Sequence, residues 1–193
     1  RAVYLEMDRI PADRREELSA TKTYDPVFGT SATAAHLAVV EINPQTYEIK
    51  VERFVVAEDC GRIINPMIVD GQVHGGVAQG IGAALYEEVV YNEEGQNLTA
   101  SLVDYIVPTA TEIPPIEVLH IEAPSPTTLG GFRGMGEGGT IGAPAAVANA
   151  IADALVPLGI EIFELPVTPE RLFRLIENNQ SRKGSMHGHE AQG

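Results

Sequence analysis

The chain has 193 residues, with 27 acidic against 13 Lys and Arg side chains and a formal net charge of −14. That balance excludes a basic face for nucleic acid and argues against docking on an anionic membrane surface. One cysteine excludes an internal disulfide and fits a reducing, cytoplasmic setting, and no run of about 18 apolar residues offers a membrane span.

Residues 1–30 have no hydrophobic period and read as an irregular lead-in, charge-dense over 9–17 and turn-rich over 24–29. The chain opens Arg1-Ala2-Val3-Tyr4, without an initiator Met or a signal pattern, as expected of a piece of a longer chain. A single domain over 31–178 follows, and 179–193 reads as a polar tail in which His187 and His189 are solvated tail residues. From His36 the pattern is β. A short apolar run over 36–42 and a turn at Asn43-Pro44 lead into Tyr47, Ile49 and Val51, which alternate with charged residues. The second strand continues to 57 through Phe54, Val55 and Val56, apolar on both faces and so central. His36 reads as a structural strand histidine and Cys60 as a buried structural thiol, each preferred to a ligand or nucleophile.

The spacing predicts a helix over 72–91 with Val73, Val77, Ile81, Ala84 and Leu85 on one face and Gln72 at its entry. Gly75, Gly76, Gly80 and Gly82 each cost such a helix about 1 kcal/mol against Ala. They imply close packing against another backbone or a bulky ligand. Strands are expected over 98–107 and 116–122 and helices over 140–156 and 169–178. Thr140 caps the first of these helices, with Ile141, Ala145, Ala148, Ile151, Ala152 and Leu155 inward. Thr168 caps the second, with Pro169 at its first position. The elements add up to an α+β fold in two layers, helices packed on one face of the sheet.

Between the last strand and helix 140–156 lies Gly130-Gly131-Phe132-Arg133-Gly134-Met135-Gly136-Glu137-Gly138-Gly139-Thr140, six glycines around one carboxylate. Glycine lets backbone approach a ligand closely, and a following helix directs free N–H groups back at such a loop. The stretch therefore reads either as a tight turn without chemistry or as a site for an oxygen-rich ligand overhung by Glu137. Gly136 is expected to need unusual dihedrals or close ligand approach, and Gln72 and Glu137 to converge. The G-x-G-x-x-G at Gly134, Gly136 and Gly139 is not a dinucleotide fingerprint, because Pro124 and Pro126 stand where the preceding strand would be.

The run Gly71-Gln72-Val73-His74-Gly75-Gly76-Val77-Ala78-Gln79-Gly80, with Gly134-Met135-Gly136-Glu137, resembles the C-terminal part of the molybdopterin-binding large subunit of the xanthine oxidase family. Its pattern is similar to the carbon monoxide dehydrogenase-like and aldehyde oxidase-like bacterial branch. Asp59-Cys60-Gly61-Arg62-Ile63-Ile64-Asn65-Pro66, Tyr86-Glu87-Glu88, Asp104-Tyr105 and Ala123-Pro124-Ser125-Pro126 match that branch in the same order, over roughly 24–165. The resemblance implies a mixed sheet and a molybdenum hydroxylase acting on an aldehyde, an N-heterocycle or carbon monoxide, with the metal carried by molybdopterin cytosine dinucleotide. It implies that Glu137 is the base that takes a proton beside the metal, and that Gln72, Arg133, Gly134, Met135 and Gly136 contact the cofactor. No residue here is implied as a metal ligand. Arg133 stands where related enzymes can have Lys.

The remaining cofactor loops, and the loop that distinguishes copper-containing carbon monoxide dehydrogenases, are expected in upstream sequence. Iron–sulfur clusters and FAD are expected on partner subunits or domains, in a dimer of heterotrimers, since one cysteine cannot hold a cluster. The isolated chain is expected to be inactive and to bind no cofactor tightly. A non-catalytic assembly or cofactor-carrying module of the same fold is the alternative.

Overall fold

The computed structural model describes residues 9–14, 21–23, 25 and 30–190. The charged stretch from 15 to 17, most of the turn at 24–29 and the side chains of His187 and His189 lie outside the described residues. Strands β1 (Thr33–Ile42) and β2 (Ile49–Asp59) form the hairpin that alternation predicts, paired antiparallel. The turn is set by Asn43, whose Oδ1 accepts the N–H groups of Gln45 and Thr46 at 2.8 and 3.2 Å. Strand β3 (Ile116–His120) pairs parallel to β2 from Phe54↔Ile116 to Glu58↔His120. The order is β1-β2-β3, with β2 central as its two apolar faces require. The α+β class and the mixed sheet are as expected.

A parallel pair needs a crossover, and α1 (Pro66–Leu85) runs between β2 and β3. It begins at Pro66 and ends at Leu85, not over 72–91. Pro66 occupies a first-turn position, where its missing N–H is no loss. Gln72 therefore sits in the second turn of the helix rather than at its entry. The face Val73, Val77, Ile81, Ala84 and Leu85 is buried as predicted.

Residues 98–107 are not a strand. Ser101 draws the backbone into a turn: its carbonyl accepts the Asp104 and Tyr105 N–H groups at 3.1 and 2.8 Å, and its Oγ donates to Asp104 at 2.8 Å. Leu102 and Val103 are left 82% and 88% exposed. The expected helix 140–156 is two helices, α2 (Gly138–Ile141) and α3 (Ala143–Leu155). The break at Gly142 follows from Pro144, which has no N–H to carry the ladder back to Thr140. The inward face of α3 is Ala143, Val147, Ile151 and Leu155, so Ala145 and the 74% exposed Ile141 do not face the core. Gly138–Leu158 has the length and composition to cross a bilayer, and its buried apolar residues, Ala143, Val147, Ile151 and Leu155, belong to the core that packs against β1 and α1. Helix α4 (Pro169–Glu190) is capped as predicted by Thr168, whose Oγ1 accepts the Arg171 N–H at 3.2 Å, but it runs beyond 178 into the expected polar tail.

Phe54, Val56, Val73, Val77, Ile81, Val147, Ile151 and Leu172 form the core between one sheet face and the helices. Full burial of each is worth roughly 1.5–3 kcal/mol. A β-bulge sets which β2 residues reach it. Val39 pairs with Arg53 but Val40 with Val51, leaving Glu52 as the extra residue. The buried series consequently shifts from Ile49 and Val51 to Phe54, Val56 and Glu58.

Candidate functional site

The Gly-rich stretch is stitched to the end of β2. Gly130 and Gly131 adopt φ of 85° and 77°, the left-handed region glycine tolerates. The turn lets the Gly131 carbonyl accept the N–H groups of Arg62 and Ser125 at 3.1 and 3.0 Å. Arg133 donates its backbone N–H to the Cys60 carbonyl at 2.9 Å and its Nε–H to the Ala123 carbonyl at 3.1 Å, with Asp59 Oδ2 3.9 Å away. Its guanidinium is thus a strut between loop, strand end and the 123–125 segment. Asp59 Oδ1 accepts the Gly61 and Ala123 N–H groups at 2.9 and 3.0 Å. Burial works against its ionisation, but these bonds and Arg133 win and hold the carboxyl below its ordinary value.

Beyond the strut the loop opens. Gly134 pairs with Ser31, and Met135 is half-buried against the core. Gly136 is exposed, and a Cβ built there meets nothing within 4 Å. Its φ is not left-handed, so the expected unusual dihedral is not found; the turn is made earlier, at Gly130 and Gly131. Glu137 directly precedes α2. Its carbonyl accepts the Thr140 and Ile141 N–H groups at 3.0 and 3.2 Å, while its exposed carboxylate makes no capping bond.

Helices α1 and α2 meet backbone to backbone. A Cβ on Gly139 would lie 2.5 Å from the Val73 carbonyl oxygen and 3.0 Å from that of Gln72, and one on Gly76 2.7 Å from Gly139. Thr140 does not cap a helix; its Oγ1 donates to the Gly76 carbonyl at 3.1 Å. This contact brings the backbone of Gln72 to within two residues of Glu137, so the two elements converge although they are far apart in sequence. Gln72 is exposed. Around it a Cβ at Gly71 or Gly75, like one at Gly136, would meet nothing within 4 Å among the described residues beyond its own stretch of chain.

Two polar residues that sequence reasoning did not assign to the site lie beneath it. His36 Nε2–H donates to the Gly138 carbonyl at 3.2 Å, and its ring packs under Gly142 and edge-on to Phe54, 5.8 Å between centroids. Burial holds the ring below its ordinary pKa, against the pull of that hydrogen bond. Glu58 is 1% exposed, and its carboxylate lies against Gly138. Burial raises its pKa, with the Asp59 charge adding and His120 opposing. Among the described residues, neither Glu58 oxygen nor His36 Nδ1 has a hydrogen-bond partner. The signal that finds Glu58 is the bulge, which turns an apparently solvent-phased acid inward. Cys60 is buried, and burial and Glu58 push its thiol up, as suits a structural thiol.

The model of the molybdopterin cofactor-binding domain matches residues 2–114. The chain is 47% identical over 173 residues to the nicotine 6-hydroxylase large subunit of Paenarthrobacter nicotinovorans, covering 90% of this chain and 21% of that protein. It is 35% identical over 169 residues to the carbon monoxide dehydrogenase large chain of Hydrogenophaga pseudoflava, covering 88% and 21%. Quinoline 2-oxidoreductase from Pseudomonas putida 86 superposes with a TM-score of 0.81 at 48% identity, over 91% of this chain and 22% of that one. The chain spans about a fifth of the length of the curated relatives it matches.

Proposed function

The chain belongs to the family of molybdopterin cofactor-binding domains, and on that premise we propose that it forms the Glu137 side of a molybdenum hydroxylase site completed by upstream sequence. One observation carries the proposal. Gly71, Gly75 and Gly136 meet no described residue that requires glycine, and they flank Gln72 and Glu137 where two elements converge. Residues without a Cβ, beside an exposed amide and an exposed carboxylate, fit the close approach of a pterin and its phosphates. The bound cofactor supplies the oxygen-transfer and two-electron chemistry. This chain's part is to receive and place. The Gln72 amide could both donate to and accept from the cofactor, the Gly134-Met135-Gly136 backbone would help hold it, and Arg133 holds that loop to β2. The exposed Glu137 carboxylate would be the proton acceptor beside the bound cofactor.

The finer reading follows the resemblance: the cytosine dinucleotide form of the cofactor, iron–sulfur and flavin partner subunits, a dimer of heterotrimers, and a cytoplasmic enzyme. The higher identities to a nicotine hydroxylase and a quinoline oxidoreductase than to a carbon monoxide dehydrogenase favour an N-heterocyclic substrate. Exposed Leu102 and Val103 suit burial against the rest of the large subunit.

Glu137→Gln in the complete enzyme keeps shape but removes the proton acceptor. The turnover number per bound molybdenum should fall roughly 10²–10⁴-fold, with cofactor content unchanged. Activity within about threefold of the parent would remove Glu137 as the base.

A further inference from the structure

We propose that Glu58 and His36 are positioning residues that form a buried seat for the Glu137–Gly138 peptide. The inference rests on the reading of Glu137 as the base. Gly138 is held from beneath at two atoms. Its carbonyl accepts the His36 Nε2–H at 3.2 Å. Its Cα sits so close on the Glu58 carboxylate that a Cβ would lie 2.6 and 2.9 Å from the two oxygens. Both supports come from the sheet. His36 pairs with Val56 and Ala34 with Glu58, so the two side chains are diagonal neighbours on the core face.

A buried carboxylate without a hydrogen-bond partner costs the fold stability, and an apolar residue there would be the cheaper core. A local rule broken in the core without local compensation is expected where function needs it. The residue directly above this break, Gly138, immediately follows the one that carries the proposed reactive carboxylate. Neither group touches the ligand face of the loop, so each acts through the position of Glu137 and not on the reacting atoms.

The test is a double-mutant cycle in the complete enzyme, which isolates coupling between contacting residues. Glu58→Ala withdraws the seat and Gly138→Ala drives a methyl into it. Each should lower the turnover number per bound molybdenum about tenfold, with KM within about threefold. The double variant should recover to within about threefold of the parent, because the new methyl occupies the space the carboxylate left. Glu58→Gln, which keeps the shape, should remain within about threefold. Backbone amide exchange over 137–142 supplies a readout that does not depend on catalysis: faster in Glu58→Ala, restored in the double variant. If Glu58→Ala does not fold, Glu58→Asp, which withdraws the carboxylate by one methylene, replaces it in the cycle. Losses that multiply in the double variant, unaltered exchange in Glu58→Ala, or Glu58→Gln as impaired as Glu58→Ala would each overturn the seat. An active Glu137→Gln variant would instead remove the base reading, leaving exchange and coupling to decide the seat alone.

Discussion

Gly75 and Gly76 are neighbours in α1 with opposite reasons for lacking a side chain. Gly76 faces α2, where a Cβ would lie 2.7 Å from the Gly139 carbonyl carbon and the Thr140 nitrogen. Gly75, one residue earlier, faces open space, as do Gly71 and Gly136. Among the described residues the molecule therefore has an inner glycine contact, which sets how closely two helices approach, and an outer glycine shoulder, which is the proposed ligand side. Composition alone cannot separate the two. The helix rotates about 100° per residue, so adjacent positions meet different neighbours.

The largest stability effect is expected at the inner contact. Gly139→Ala and Gly76→Ala should each destabilise the chain by roughly 1–3 kcal/mol, because neither backbone can yield without separating the helices. A denaturant midpoint shift with constant slope would measure it, and a loss below about 0.5 kcal/mol would mean that the helices are not in contact in solution.

Gly75→Ala should act in the opposite direction. It improves helix propensity by up to about 1 kcal/mol and meets nothing within 4 Å among the described residues beyond its own helix. In the complete enzyme the same change should lower molybdenum content, because the methyl stands on the proposed ligand side. A destabilised chain would end the inner–outer distinction, and full molybdenum content would place the cofactor elsewhere.

The smallest expected effect concerns the buried seat and depends on pH. Burial raises the folded-state pKa of Glu58 above the ordinary value of 4.5, Asp59 adds to the rise and His120 opposes it. Its contribution is fully present below that value and is lost as pH rises through the raised one. Glu58→Gln cannot lose it. The melting temperature of the variant relative to the parent should therefore climb as pH is raised from below the ordinary carboxylate value toward neutrality. A difference that is flat with pH would show that Glu58 titrates normally.

Much of this arrangement was legible from residue pattern, and the exceptions have specific physical causes. The hairpin, the inner face of α1 and the Thr168 cap follow from alternation, helical spacing and capping chemistry, and the close approach of α1 to another backbone follows from its glycines. The start of α1 lies ahead of the Gln72 entry that the spacing suggests because Pro66, a residue that turns the chain after β2, also serves as a first-turn proline. Residues 98–107 carry enough apolar side chains for a strand, but apolar content reports burial against any surface, and Leu102 and Val103 find none in this chain. Arg133 was placed at the cofactor from its position in the motif; its bonds to Ala123 and approach to Asp59 could not be read without knowing that three distant segments meet there. Glu58 was invisible for a related reason. Val55 and Ala57 are as apolar as Phe54 and Val56, so no alternation marks where the strand changes phase.

That change of phase makes the second half of β2 a matter of reading frame. Glu52 is a one-residue insertion relative to β1. Everything after it is assigned to a face by counting from there and not by its own polarity. Deleting Glu52 would make Val51 and Arg53 consecutive opposite Val40 and Val39, and every later residue would keep its partner in β1 and its face, with Phe54, Val56 and Glu58 inward. The extra residue thus hides in the sequence what the pairing preserves in space: without it Glu58 would stand in plain phase with Ile49 and Val51, and the surface on which the Gly-rich loop rests would keep its register.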